Sequence, residues 1–272
     1  MTLPPLRRAR VAALLVTLAA AAQAQESTKE PPRIEDNSFL VEEAYNQETG
    51  VVQHISNFRR APDGAWLFTF TQEWPAPSQR HQLSYTAPIV SNRPGGTGVG
   101  DVALNYRYQA VGHEGSHVWL APRLSVVLPT GDAATGRGLG GPGLQTMIPL
   151  SVELTNTVVT HWNAGYTATR ARDTDGVRHT LRVLNAAASA IWLVAPTLNL
   201  MLESTWDRTE SFDAGSTTRS DDHFTIMPGI RGAINLRSGM QIVPGIGLPF
   251  VRSGGSTERD LFLYFSVEHS FR

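Results

Sequence analysis

A period of two runs through almost all of this sequence. From about Val51 to Phe271, apolar and polar residues exchange places at every second position, in blocks of roughly ten with turn residues between. Leu198, Leu200, Leu202 and Trp206 share one parity; Asn199, Glu203, Thr205 and Asp207 share the other. Phe224, Ile226, Ile230 and Ile234 oppose His223, Thr225, Arg231 and Asn235. Successive side chains of a strand point to opposite faces, so these are strands with one apolar and one polar face. Two architectures accept them. A soluble sandwich buries the apolar face, whereas an outer-membrane barrel turns it to lipid and gives the polar face to a lumen.

The N-terminus speaks to compartment. Arg7, Arg8 and Arg10 precede a largely apolar run from Val11 to Ala22, and Ala22-Gln23-Ala24 offers small residues around a cleavage point. Twelve such residues are too few to span a bilayer. Residues 1–24 are therefore expected to be a secretory signal peptide, with the mature chain beginning near Gln25. The Arg7-Arg8 pair lacks the rest of a twin-arginine pattern. The chain has no cysteine, which suits a bacterial envelope protein better than a disulfide-stapled secreted one. Its formal net charge of −1 argues against a nucleic-acid partner.

Turn residues divide the alternation into twelve expected strands: 51–59, 65–74, 79–89, 99–109, 117–128, 144–154, 157–170, 179–193, 197–207, 223–235, 239–251 and 259–271. The connections alternate in length. Those at 60–64, 90–98, 129–143, 171–178, 208–222 and 252–258 are mostly long and rich in Gly, Ser, Thr and Asp. Those at 155–156, 194–196 and 236–238 are tight, and 75–78 and 110–116 somewhat longer. An even strand count with long loops on one side and short turns on the other is the pattern of a bacterial barrel. A sandwich has no reason to alternate this way.

Aromatic positions give a geometric test. Trp66 and Trp74 share a parity, eight residues apart. At about 3.3 Å per residue and about 45° of tilt, that is roughly 19 Å of height, near the spacing of two interfacial girdles. Trp192, Tyr106 and Tyr108 are expected at the inner rim and Trp206 at the outer rim. Phe68, Phe70, Leu104, Leu124, Leu200, Ile226 and Ile242 share the expected lipid-facing parity. Pro122, Pro149, Pro228 and Pro244 resist the scheme, because proline cannot donate to a ladder and a closed barrel has no edge; they imply bulges or strand boundaries that lie elsewhere. In the first strand Val52, His54 and Phe58 compete with Val51, Ile55 and Arg59 for the outward face.

Three stretches carry a family resemblance. Phe39 to Ile55 reads FLVEEAYNQETGVVQHI, Gly98 to Asp101 reads GVGD followed by VALNYRY, and Pro122 to Asp132 reads PRLSVVLPTGD. Together they resemble the outer-membrane barrels of the phenol-degradation meta-pathway or putative transporter group. The resemblance implies passage of small, often hydrophobic molecules across the outer membrane and brings no catalytic motif. The last strand alternates Leu261, Leu263, Phe265, Val267, His269 and Phe271, but ends on Arg272 rather than on the aromatic.

The expectation is therefore an all-β, transmembrane, antiparallel up-and-down barrel of about twelve strands. It is a channel or transporter in a Gram-negative outer membrane, with lipids and the barrel-assembly machinery as partners, an unidentified small solute and no cofactor. The lumen parity carries Glu73, Asp101, Arg107, Arg123, Glu153, His161, Asn163, Glu203, Asp207, Arg231 and Glu268. Two readings stand beside each other: a polar conduit that selects solutes, or acids and arginines paired into a filled core. Residues 25–50 precede the barrel as a periplasmic segment. Within it Asp36, Asn37 or Ser38 would cap a short helix or plug with an apolar side of Phe39, Leu40, Ala44 and Tyr45. The glycine runs at 95–100 and 136–143 lack the ending of a phosphate loop, 173–176 lacks the closing glutamate of a calcium loop, and no histidines show metal spacing. A lipid hydrolase would need a serine beside a histidine; none is evident beside His161. A structural barrel without transport is the other alternative.

Overall fold

The computed structural model describes residues 34, 37–93, 95–113, 115–172, 177–212 and 218–271. The expected signal peptide, residues 25–33 and the turn at 173–176 lie outside the described residues.

The strands are β1 (Val51–Arg60), β2 (Trp66–Pro75), β3 (His81–Asn92), β4 (Gly96–Val99, continued by Val102–Tyr108), β5 (Val118–Leu120 and Arg123–Leu128), β6 (Gly143–Thr155), β7 (Val158–Arg172), β8 (Arg178–Ala195), β9 (Leu198–Phe212), β10 (Thr218–Gly232 and Ile234–Asn235), β11 (Gln241–Gly247 and Phe250–Ser253) and β12 (Ser256–Arg259 and Leu261–Ser270). Each pairs antiparallel with the next. β1 pairs with β12 from Val51↔Ser270 to Arg60↔Leu261 and closes a twelve-stranded barrel. Closure leaves no unpaired sheet edge, the condition for crossing a bilayer with strands. Among the described residues no helix is long and apolar enough to cross a membrane. Barrels of this kind carry their short turns on the periplasmic side, so the turns at 156–157, 196–197 and 236–240 mark the inner end.

The parity reading holds strand by strand. Leu104, Leu124, Leu200 and Ile226 are exposed on the outer wall. Thr69, Thr71 and Glu73 line an internal cavity, which puts Phe68, Phe70 and Trp74 on the opposite, outer face. In β1, Ile55 packs against a buried cluster inside the barrel. Phe58 meets Trp66 outside, ring centroids 5.7 Å apart. The Val52, His54 and Phe58 parity therefore faces lipid.

The prolines sit where ladders break. β5 is interrupted at Ala121-Pro122, and across the gap Ala121 N donates to the Pro149 carbonyl of β6 at 3.2 Å. β11 is interrupted at Leu248-Pro249, where Leu248 N donates to the Pro228 carbonyl of β10 at 3.1 Å. Pro244 faces the gap between the two pieces of β10, between the pairs Arg231↔Gly245 and Ile234↔Ile242. Each proline forfeits a bond only where the neighbouring strand is already irregular.

Three expected loops are largely strand. Pairing continues to Asn92↔Gly96, Phe212↔Thr218 and Ser253↔Ser256, so much of 90–98, 208–222 and 252–258 is hairpin. Outside the membrane both faces of a hairpin are wet, so the pairing persists without the apolar alternation that reveals it. Residues 129–142 remain a loop, with one 3-10 turn at Ala133–Thr135 capped by Asp132.

Candidate functional site

The lumen holds the chain's own N-terminal segment. Ile34 N donates to Pro196 O, in the turn between β8 and β9, at 2.8 Å. The segment then passes β7, β6 and β5 and returns to the inner end, where Val51 begins β1. Ile34, Phe39, Val41, Ala44, Asn46 and Gln47 are buried. The short helix expected from Asp36–Ser38 capping does not form across the described residues 37–50. Its backbone groups bond to wall side chains in place of i→i−4 partners, which is a complete alternative to a helix for satisfying buried amides.

The wall supplies those partners in a line. Cross-strand register places Ser151, His161, Ser189 and Glu203 side by side on β6, β7, β8 and β9. The Glu203 carboxylate accepts from three successive amides: Phe39 N at 2.7 Å, Leu40 N at 2.7 Å and Val41 N at 3.2 Å. Ser38 and Ser189 hydroxyls meet at 2.7 Å. Ala44 N donates to Ser151 Oγ at 2.8 Å, and that hydroxyl lies 2.7 Å from His161 Nδ1. One step outward, Asn163 accepts from Glu42 N and donates to Glu42 O, at 2.7 and 2.8 Å. On the far wall Arg107 donates to Asn46 Oδ1, Glu43 O and Tyr45 O within 3.0 Å.

One aromatic ring keys the segment into β10, β11 and β12. Phe39 lies 5.4 Å from Phe262 and 5.1 Å from Tyr264, centroid to centroid. Inward-facing glycines make the space. A Cβ at Gly229 would come within 2.7 Å of the Phe39 ring, and one at Gly245 within 2.6 Å.

The expected lining residues divide into groups. Glu203, His161, Asn163, Arg107 and Arg123 hold the segment; Arg123 meets Glu42 at 2.6 Å. Glu73 accepts from Gln82 Nε2 at 2.9 Å beside it. Arg231 is buried and in register with Asn199. Asp207, in register with His223, faces an open cavity. Three lie away from the middle. Asp101 sits in the gap of β4 and accepts from Gly131 N and Leu139 N, tying down the outer loop. Glu153 meets the exposed His117 at 3.1 Å near an inner turn. Glu268, in register with Gln53 and Gln241, lies near the inner end. Of the two readings of the lumen, the one that paired wall acids with wall arginines gives way, mid-lumen, to contacts with the segment: Arg107–Glu43 and Arg123–Glu42.

Several holding residues were missed because they are neutral. Gln82 Oε1 accepts from Gln47 N, Gln109 bonds Ala44 O and Asn46 N, and Ser151 and Ser189 act as above. All share the inward parity, which was the available signal. The structure also corrects the reading of His161: a serine does lie beside it, on the adjacent strand. Ser151 and His161 are fully buried and the serine hydroxyl serves the Ala44 amide, so no acyl substrate reaches the pair. Among the described residues no cluster of His, Asp or Glu has the geometry to hold a metal.

Two cavities remain above and beside the segment, about 230 and 380 Å³ in volume, and Leu40 and Glu42 contribute to both. A closed twelve-stranded wall with an apolar exterior and a polar interior defines a transmembrane β-barrel. Solved structures agree. An outer membrane channel from Pseudomonas putida F1 has TM-score 0.58 at 11% identity, covering 84% of this chain and 98% of that one. The NanC porin has TM-score 0.50 at 10% identity, covering 81% of this chain and 99% of that one. No family model and no curated protein matches the sequence. The chain is a β-barrel of the bacterial outer membrane.

Proposed function

We propose that this barrel is a passive channel for a small solute, closed in the described state by its own residues 34 and 37–47. Glu203 carries the reading. Its carboxylate binds three consecutive backbone amides of a segment that belongs to no strand, so the segment is held by side chains and is separable from the wall. Residues 1–24 act as the export signal, and the final strand is what the assembly machinery receives. The resemblance of 39–55, 98–101 and 122–132 supports an aromatic or otherwise hydrophobic solute. The hydroxyls and amides around the cavities support a more polar one. A barrel without transport is favoured by the filled inner lumen alone.

Planar-bilayer conductance of the purified barrel is the test. Deleting residues 35–45 should raise conductance. If both forms stay silent, and a strain lacking the protein takes up aromatic and other small solutes unchanged, the channel reading falls and the structural one replaces it.

A further inference from the structure

The outer wall of β7–β10 changes character along its height. Near the inner turns Val158, Trp192, Leu200 and Ile230 stand in one register row. From that row every outward position is uncharged as far as Ala168, Leu184, Trp206 and Phe224. The next outward residues are Arg170, Arg182, Arg208 and Asp222, with Arg178 and Glu210 beyond them. Register makes the four arginines a diagonal row. Arg208 pairs with Leu184, two residues from Arg182; Arg182 pairs with Ala168, two residues from Arg170; Arg170 pairs with Thr180, two residues from Arg178. Diagonal neighbours stand about 7–8 Å apart, within reach of long side chains. We propose that this row binds the phosphorylated headgroup of an outer-leaflet glycolipid.

Height comes first. At about 3.3 Å per residue and about 45° of tilt, Arg208 to Arg178 lie roughly 19–33 Å above the inner row, astride the top of an apolar band about 25 Å tall. Charge agrees. Four guanidiniums share this patch with two carboxylates, and the hairpin tip at 170–178 carries three arginines against two aspartates, so the excess stays positive when residues outside the described set are counted. Asp222 orients Arg208. It accepts from Arg208 Nε and Nη2, both at 2.9 Å, and from Trp206 Nε1 at 3.1 Å, and the guanidinium lies 5.5 Å from the Trp206 ring. Arg182 stands 3.8 Å from Glu210, beyond hydrogen-bond reach. Arg170 and Arg178 are exposed. The guanidinium fork matches phosphate oxygens two at a time, and basic clusters beside a membrane attract anionic headgroups. Arginines that only marked the edge of the apolar band would recur at the inner end of the same strands, where Val158, Trp192, Leu200 and Ile230 stand instead.

The site lies on the outer wall and stands whether or not the lumen conducts. It rests on the orientation set by the short turns. The experiment is native mass spectrometry of the full chain in detergent, with diphosphoryl lipid A, lipid A stripped of both phosphates, and phosphatidylglycerol as probes. Diphosphoryl lipid A should be retained at least tenfold more strongly than the other two. Arg170→Gln combined with Arg182→Gln should weaken that retention at least tenfold, with folding checked by heat-modifiable gel mobility. Arg93→Gln, at the outer turn between β3 and β4 on the far wall, should leave it unchanged. Equal retention of the two forms of lipid A, or indifference to the double variant, overturns the site. Preference for phosphatidylglycerol does the same, and places the row in the other leaflet. A lipid-free dimer that the double variant dissolves would also overturn it, and would give the row to a second copy of the chain.

Discussion

In the inner half of the lumen Ser151, His161, Ser189 and Glu203 are buried against the N-terminal segment. One register step outward, Asn163, Ala187, Thr205, Thr225 and Val251 form the same kind of line across β7 to β11 and face an open cavity. The inner line carries the ionisable His161 and Glu203 and the outer line carries no ionisable group; Asn163, which bonds the Glu42 backbone, marks where the packed half gives way to the open one. A twelve-stranded barrel is wider than its own side chains can fill. Closing it needs added chain, and the segment reaches only the inner half. Polar lining by itself does not decide whether a barrel is open.

The sharpest way to break this contrast is Glu203→Leu. It removes the acceptor for three buried amides, and each unsatisfied donor costs about 1–3 kcal/mol. Docking of the segment should weaken by about 3 kcal/mol or more, seen as faster hydrogen exchange at residues 39–41. Unchanged protection would mean that apolar packing, not the carboxylate, holds the inner half closed.

Next comes a pair on β9. Leu202→Arg puts a charge on the lipid face, nearer the midplane than the inner turn, and should cost about 2–4 kcal/mol in folding. From alternation alone Asn199→Arg, on the lumen face, is nearly free. The structure changes that expectation, because Asn199 is fully buried and in register with Arg231. Overpacking should cost about 1–3 kcal/mol there. Equilibrium unfolding in urea distinguishes the cases, and a negligible cost at 199 would show that the inner lumen is wet.

Gly245→Val tests the aromatic key. The new Cβ would lie within 2.6 Å of Phe39, and overpacking of this kind costs about 1–3 kcal/mol. The ring should leave its notch, and residues 37–47 should become protease-sensitive while the barrel stays folded. Continued protection would place the anchor elsewhere.

The smallest effect belongs to the outer half. Thr205→Val alters a side chain that faces a cavity and should change stability by no more than about 0.5 kcal/mol. A large loss would mean that this half is packed too. Orientation is checked separately. Cysteines within 129–142 should react with an impermeant thiol reagent on intact cells, and cysteines within 236–240 should not. The reverse pattern would exchange the inner and outer halves throughout.

The sequence by itself determined the wall. Alternation such as Leu200–Leu202 against Asn199–Glu203 is local, each residue setting its own face, so strand count and the parity of most strands follow without knowing any partner, whereas the facing of β1 was decided by the structure. The segment was visible as Phe39, Leu40, Ala44 and Tyr45, but its conformation was misread as helical, because its backbone partners lie more than a hundred residues away on β6 to β9. Only the tertiary structure decided which polar residues hold it. Ser151, His161, Ser189 and Glu203 become neighbours through the register of four strands, and Gly229 and Gly245 become a notch only once Phe39 is laid against them. The prolines divide the same way: Pro149 and Pro228 read as misfits alone, and are tolerated because the strands beside them break at the same level. Facing is a property of one strand, whereas filling a lumen depends on distances between strands, and those are set by pairing that no local pattern records.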